Sequence, residues 1–204
     1  MRIIEPSYEF LTPVDRDSIL NLIELAARTC YKSEGSIGVG TASPFVEKIC
    51  KTFKHESVME HAGFSVKFIC DRGVTHEMVR HRIAAYSQES TRYCNYSKDK
   101  FGREITVIRP LFLKEGTKRY QYWLRGCKDA ESAYFDMLDD GATPQEARSV
   151  LPNSLKTEIV MTANLREWKH VFELRCAEQA HPQIRQLMIP LRDEMIKILP
   201  EIFA

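Results

Sequence analysis

No two cysteines of this 204-residue chain form a C-x-x-C pair; they stand alone at positions 30, 50, 70, 94, 127 and 176. That spacing argues against a zinc site, and the length without a secretory leader argues against a disulfide framework. Most of the cysteines read instead as buried apolar fillers, with a catalytic thiol as the alternative. An excess of charge is missing too, with 29 Lys+Arg facing 28 Asp+Glu. A broad nucleic-acid footprint leaves a strong basic surplus, so polynucleotide binding is disfavoured and the cationic chemistry is local. No apolar run approaches the roughly 20 residues of a membrane span, and Met1-Arg2 leads into no signal-like apolar stretch. A cytoplasmic protein with no membrane partner is the expectation. Repeats, low-complexity tracts and linkers are also absent, which points to one domain over residues 1–204 with a real core.

Several catalytic patterns are lacking as well. There is no G-x-S-x-G, P-loop or Ser/His/Asp arrangement, so hydrolase and kinase chemistry has no local support. Glycines 35, 38 and 40 run G-x-x-G-x-G with no strand before them, which is not a dinucleotide fingerprint. His55 and His61 flank His-Glu-Ser-Val-Met-Glu-His, but they are six apart where a metalloprotease helix needs four, and no metal site is expected.

What is present concentrates in residues 77–96, EMVRHRIAAYSQESTRYCNY. Arg80, His81, Arg82 and Arg92 lie there among hydroxyls, amides and three tyrosines. The arginine fork matches phosphate oxygens, so the cluster suits a phosphorylated, ring-bearing ligand; a solvated basic face is the alternative. Arg175 continues the spacing of Trp168, Val171 and Phe172, which puts a guanidinium on an apolar helix face. It reads either as a cation held against an electron-rich ligand or as an arginine whose head reaches water or a structural carboxylate. Arg148, on a short helix ended by Pro152, reads as a phosphate ligand or a surface ion pair; Asn164 reads as a helix cap or a ligand amide.

The element pattern is mixed. The start, MRIIEPSYEFL, reads as a strand, and Asp15 opens a helix through Ile19, Leu22, Ile23 and Ala26. Ser43-Pro44 opens a second helix to about Phe53. Residues 62–70 alternate as a half-buried strand, and Asp71 caps a helix that carries the Arg-His-Arg triplet near its end. A long polar loop over 84–104 follows, then a strand at 105–109 and a helix over about 115–140 ended by Gly141. Thr143-Pro144-Gln145-Glu146 is a capping box, 155–163 a strand, Asn164 with Glu167 a cap pair, and 182–199 a helix kinked at Pro190. Strands that do not alternate regularly with helices give an α+β fold with a mixed sheet and several packed helices.

These residues resemble a known family. Arg80-His81-Arg82, seven residues, then Ser90 is similar to the signature of flavin-dependent thymidylate synthases (ThyX), and HESVMEH, RHRIAAY, STRY, ARSVLP, TAN and FELR follow that family's blocks in order. The resemblance implies a thymidylate synthase-complementing-protein-like fold and reductive methylation of dUMP to dTMP. FAD would be the cofactor, with NADPH and 5,10-methylenetetrahydrofolate as co-substrates, in a homotetramer with shared active sites. It implies FAD contacts from His55, Ser57, Arg80, His81, Arg82, Gln88, Asn164 and His170. The dUMP contacts would come from Glu77, Arg80, Gln88, Glu89, Ser90, Arg92, Arg148 and Arg175, with Arg175 as the catalytic group that activates the ring. Three positions depart from the family pattern: Ser87-Gln88-Glu89-Ser90 stands for N-E-x-S, Glu77 for a common glutamine, and Gln179-Ala180-His181-Pro182-Gln183-Ile184-Arg185 for HAQ-x-E-I-R. An amide donates and accepts where a carboxylate only accepts. A related enzyme acting on another pyrimidine nucleotide, or a non-catalytic flavin or nucleotide sensor, is therefore the alternative.

Overall fold

The computed structural model describes residues 1–204, apart from the side chain of Lys100. In chain order its elements are β1 (Arg2–Ile4), β2 (Ser7–Phe10), α1 (Arg16–Thr29), α2 (Ala42–Glu47), β3 (Gly63–Asp71), α3 (Arg72–Met78), β4 (Ala84–Gln88), β5 (Thr106–Ile108), α4 (Lys118–Asp139), α5 (Pro144–Ala147), β6 (Lys156–Asn164), α6 (Leu165–Arg175), α7 (Pro182–Ile198) and α8 (Pro200–Phe203). Four strands form one sheet in the order β2-β3-β6-β4, and β1 pairs with β5 in parallel, Arg2 against Thr106. The architecture is α+β.

Two compact units divide the chain. One comprises Met1–Tyr8, Phe68–Arg80 and Tyr86–Val160. Its core gathers Tyr96, Ile105, Val107, Cys127, Tyr134, Phe135, Ala147 and Leu155. The apolar stripe of α4 supplies Cys127, Tyr134 and Phe135, and the helix stops where Gly141 takes a left-handed φ of 94°. The other unit comprises Glu9–Lys67, His81–Ala85 and Met161–Ala204. Here α6 buries Leu165, Trp168, Val171 and Phe172, and the Trp168 ring stacks on Phe64 at 4.7 Å and 6°. Trp168 Nε1–H donates to the Phe64 carbonyl at 3.1 Å, so the largest buried side chain leaves no indole donor unsatisfied.

Most expected elements are present, and the departures have local causes. The first strand is two, with Pro6, which has no N–H to donate, between them. The second helix begins at Ala42, two residues before the expected Pro44, and its last turn widens into a π turn over Lys48–Thr52. Thr41 precedes that helix but gives its hydroxyl to Glu24 rather than to a cap. The triplet Arg80-His81-Arg82 lies beyond the end of α3, which stops at Met78. Inside the expected loop 84–104 lies β4, whose inward residues hold by hydrogen bonds instead of apolar contact. Tyr86 Oη–H donates to the Met78 carbonyl at 2.7 Å, and Gln88 Nε2 donates to Thr75 and Thr157 at 3.1 and 3.2 Å.

Candidate active site

Within the second unit, α6 is the mount. Asn164 caps it, its side-chain oxygen accepting from Glu167 N at 2.9 Å, so the cap reading holds and occupies only that oxygen. From this fixed start the interior face carries Glu167, Val171 and Arg175 at successive turns. Arg175 Nε–H donates to His81 Nε2 at 2.9 Å. The histidine is 3% exposed. Because Nε2 accepts, the ring proton sits on Nδ1, and Glu167 Oε1 lies 3.3 Å from that atom, a long contact short of good hydrogen-bond geometry. Burial, then the positive Arg175 guanidinium and His170, hold the His81 pKa down at about 4. The imidazole is therefore a neutral acceptor near neutral pH, which is the state a guanidinium neighbour requires. His170, exposed, stands edge-on to His81 with ring centres 5.7 Å apart.

Ion pairs tie α6 to the turn at Glu56–His61: Glu56 to Lys169 at 2.5 Å and to Arg166 at 3.9 Å, and Glu60 to Arg166 at 2.6 Å. That turn carries Ser57, and His55 stands at its N-cap position without a side-chain cap bond; both are exposed. Arg82 is exposed as well, and among the described residues its side chain has no ion pair. An open groove of about 530 Å³ runs over Ala62, Gly63, Ala84, Ala85 and Ala163, with Asn164, His61 and Ile83 beside them. Glu60 and Thr162 complete the lining, of which five of ten residues are glycine or alanine. Gly63 is required there: a Cβ would stand 2.4 Å from the Ala163 carbonyl oxygen.

In the first unit, three of the nucleotide candidates, Ser90, Arg92 and Arg148, meet at one turn. Ser90 starts it: its carbonyl accepts from Tyr93 N and Cys94 N at 3.2 and 2.9 Å, and its hydroxyl accepts from Arg92 N at 3.3 Å. Arg148, at the end of α5, donates from Nη1 to Thr91 Oγ1 at 3.4 Å, which brings it to the same turn. Arg80, Arg92 and Arg148 are exposed, and Glu77 is half-buried. Gln88 and Glu89 face inward instead. Glu89 accepts from Tyr96 Oη and from Lys156 Nζ, both at 3.0 Å. Glu167, Thr91, Lys156 and Tyr96 are absent from the sequence-based set. Glu167 reads there as a cap partner, and Lys156 looks like an ordinary polar position of an alternating strand.

One unit thus carries a neutral, buried histidine accepting from an arginine, and the other a serine–arginine turn with exposed guanidiniums, donors of the type that match anionic oxygens. Residues 14–201 match the family model described as thymidylate synthase complementing protein, and the chain belongs to that family. It is 37% identical over 188 residues to a flavin-dependent thymidylate synthase of Geobacter sulfurreducens, covering 89% of this chain and 79% of that protein. The counterpart from Mycolicibacterium gilvum is 31% identical over 217 residues, covering 98% and 83%. That from Pyrococcus furiosus is 38% identical over 146 residues, covering 71% of this chain but only 59% of the relative. Among solved structures, a UMP/dUMP methylase, PolB, from Streptomyces cacaoi bound with 5-Br dUMP shares the fold at TM-score 0.78 and 21% identity, over 100% of this chain and 95% of that one. Thymidylate synthase X from Helicobacter pylori with FAD and dUMP does so at TM-score 0.73 and 20% identity, over 98% and 97%.

Proposed function

We propose that this chain is a flavin-dependent thymidylate synthase, converting dUMP to dTMP with 5,10-methylenetetrahydrofolate as carbon donor and NADPH-reduced FAD as hydride donor. The observation that carries the reading is the Arg175–His81 pair on a capped helix, in a chain of this family. Arg175 is the catalytic residue: with Nε engaged by a neutral histidine, its guanidinium plane is fixed, and a cation in a half-buried place stabilises negative charge developing on a pyrimidine ring. Ser90, Arg92, Arg148 and Arg80 take the nucleotide's phosphate, and Glu77 lies on the nucleotide side. Gln88 and Glu89 serve through the turn they anchor.

The residues fit FAD. The glycine and alanines at 62, 63, 84, 85 and 163 let a planar ring lie close to the backbone, and the Asn164 amide lines the same groove. We assign the exposed His55, Ser57, Arg82 and His170 to polar contacts with the cofactor, while His81, buried against Arg175, acts on the site through that arginine. When bound, FAD supplies the hydride; the chain binds, orients and polarises. The family match crosses both units, which supports residues 1–204 acting as one functional domain. No helix among the described residues is long and apolar enough to cross a membrane. We place the enzyme in the cytoplasm as a homotetramer with shared active sites. Incubating the protein anaerobically with FAD, NADPH, methylenetetrahydrofolate and either dUMP or UMP, then weighing the nucleotide, tests the reading. A gain of one methyl on dUMP is expected; unchanged dUMP with flavin bound would overturn it, and methylation of UMP alone would move it to another pyrimidine.

A further inference from the structure

The carboxylate of Glu89 is the meeting point of three elements. Its backbone N–H donates to the Glu158 carbonyl of β6 at 2.8 Å, so the residue is the last rung beside that strand. One side-chain oxygen accepts from Lys156 Nζ, two residues back on β6 and therefore on the same sheet face as Glu158; the ammonium also reaches Glu158 at 2.6 Å. The other oxygen accepts from Tyr96 Oη. Side-chain exposure is 19% for Lys156 and 13% for Glu89, and Tyr96 is 5% exposed. Charge-assisted hydrogen bonds sheltered to that degree are among the stronger local restraints.

The chain between the two ends of this clamp is Ser90–Asn95. Glu89 stands immediately before it and Tyr96 immediately after it, so one carboxylate closes the loop that presents Ser90, Thr91 and Arg92. At one end the Tyr96 ring packs in the core against Tyr134 and Phe101; at the other, Glu89 is held by hydrogen bonds. The clamp forms one wall of a cavity of about 190 Å³ whose other walls are Arg2, Phe101, Glu104 and Thr106. On the Glu89 side, which faces that cavity, hydrogen bonds to Lys156 and Tyr96 fix where the loop begins. Burial and then the neighbouring Glu89 carboxylate push the Tyr96 pKa up, which keeps its hydroxyl a donor. Burial alone would lower the Lys156 pKa, yet its bonds and charges with Glu158 and Glu89 together leave it raised, so the ammonium stays charged.

We propose that Lys156 and Tyr96 are positioning residues for the nucleotide phosphate, acting through Glu89 to hold the Ser90–Arg92 turn in its binding shape. The proposal rests on the assignment of that turn to dUMP. It also gives the Gln88-Glu89 departure a physical meaning: the carboxylate at 89 is matched by a lysine on the adjacent strand, and both belong to the scaffold.

The test uses the FAD-loaded protein and the variants Lys156→Met, Lys156→Arg, Tyr96→Phe and Lys156→Met/Glu89→Gln. Backbone hydrogen exchange of residues 90–96 and the dUMP steady-state constants are read in parallel. Lys156→Met is expected to speed exchange at Tyr93 and Cys94 and to raise KM for dUMP about tenfold or more, with kcat at saturation and FAD affinity held within about twofold. Lys156→Arg should restore both readouts, Tyr96→Phe should move them less in the same direction, and adding Glu89→Gln to Lys156→Met should recover part of the loss. Wild-type exchange and KM in Lys156→Met would overturn the proposal, as would a fall in melting temperature with KM unmoved. If Lys156→Met does not fold, Tyr96→Phe, which removes a single hydroxyl, decides by the same two readouts. Failure of the wild type to bind dUMP would instead remove the enzymatic reading, and the exchange rates would still decide the clamp.

Discussion

A guanidinium and an imidazole can share a hydrogen bond only while the imidazole is neutral, and this condition governs the candidate site residue by residue. Burial and Arg175 keep the His81 pKa near 4, below the ~6.5 of an unfolded histidine. The unfolded chain therefore binds the extra proton across that window. The stability tied to His81 is complete above about pH 6.5 and is lost as pH falls towards about 4, a ceiling of about 3 kcal/mol. Denaturant titrations of His81→Gln, whose amide still accepts from Arg175, should show a flatter slope between those pH values than the wild type; equal slopes would remove the assignment. Replacing Arg175 by Ala should cut kcat/KM for dUMP by about 10²-fold or more while FAD stays bound, measured by turnover and flavin absorbance. Sequence spacing alone put Arg175 on the buried face. It could not supply the partner, because His81 lies 94 positions away along the chain, and Glu167, whose side chain turns to that histidine, reads locally as a cap partner.

Elements were legible wherever their signal was local. Asp15, Asp71 and Asn164 all cap helices through their side chains, and Gly141 ends α4. The missed strand β4 shows the limit: Ala84, Tyr86 and Gln88 alternate correctly, but two of the three are held by hydrogen bonds, so hydropathy gives no period of two. Gly63 marks where β3 and β6 come closest. Placing Ala there forces a methyl into the Ala163 carbonyl, and Gly63→Ala should lower stability by about 1–3 kcal/mol in equilibrium denaturation, with weaker FAD binding. Unchanged stability would mean that the strands can separate freely at that rung.

Across the whole molecule, the reading of the cysteines as buried fillers holds for three of the six, while Cys94 and Cys176 are half-buried. Cys50, Cys70 and Cys127 are buried, and burial raises all three thiols, Cys50 and Cys127 to about 11. Cys30 is exposed. Iodoacetamide should thus modify Cys30 first in the native protein and reach Cys50, Cys70 and Cys127 only after denaturation, as peptide mass mapping would reveal. Early labelling of Cys70 would contradict the packing of β3. The fold class was readable from the mixture of strands and helices, whereas the division into two units was not, because β3, β4 and β6 each lend residues to both.

The small-residue lining of the groove also limits how this protein can evolve under attack. Its glycine and alanines cannot shrink usefully; nearly every substitution adds atoms, and at Gly63 even one carbon meets backbone. A resistance mutation at these positions would act by filling the surface an inhibitor lies on. If FAD lies on the same surface, the change that expels the drug expels the cofactor with it.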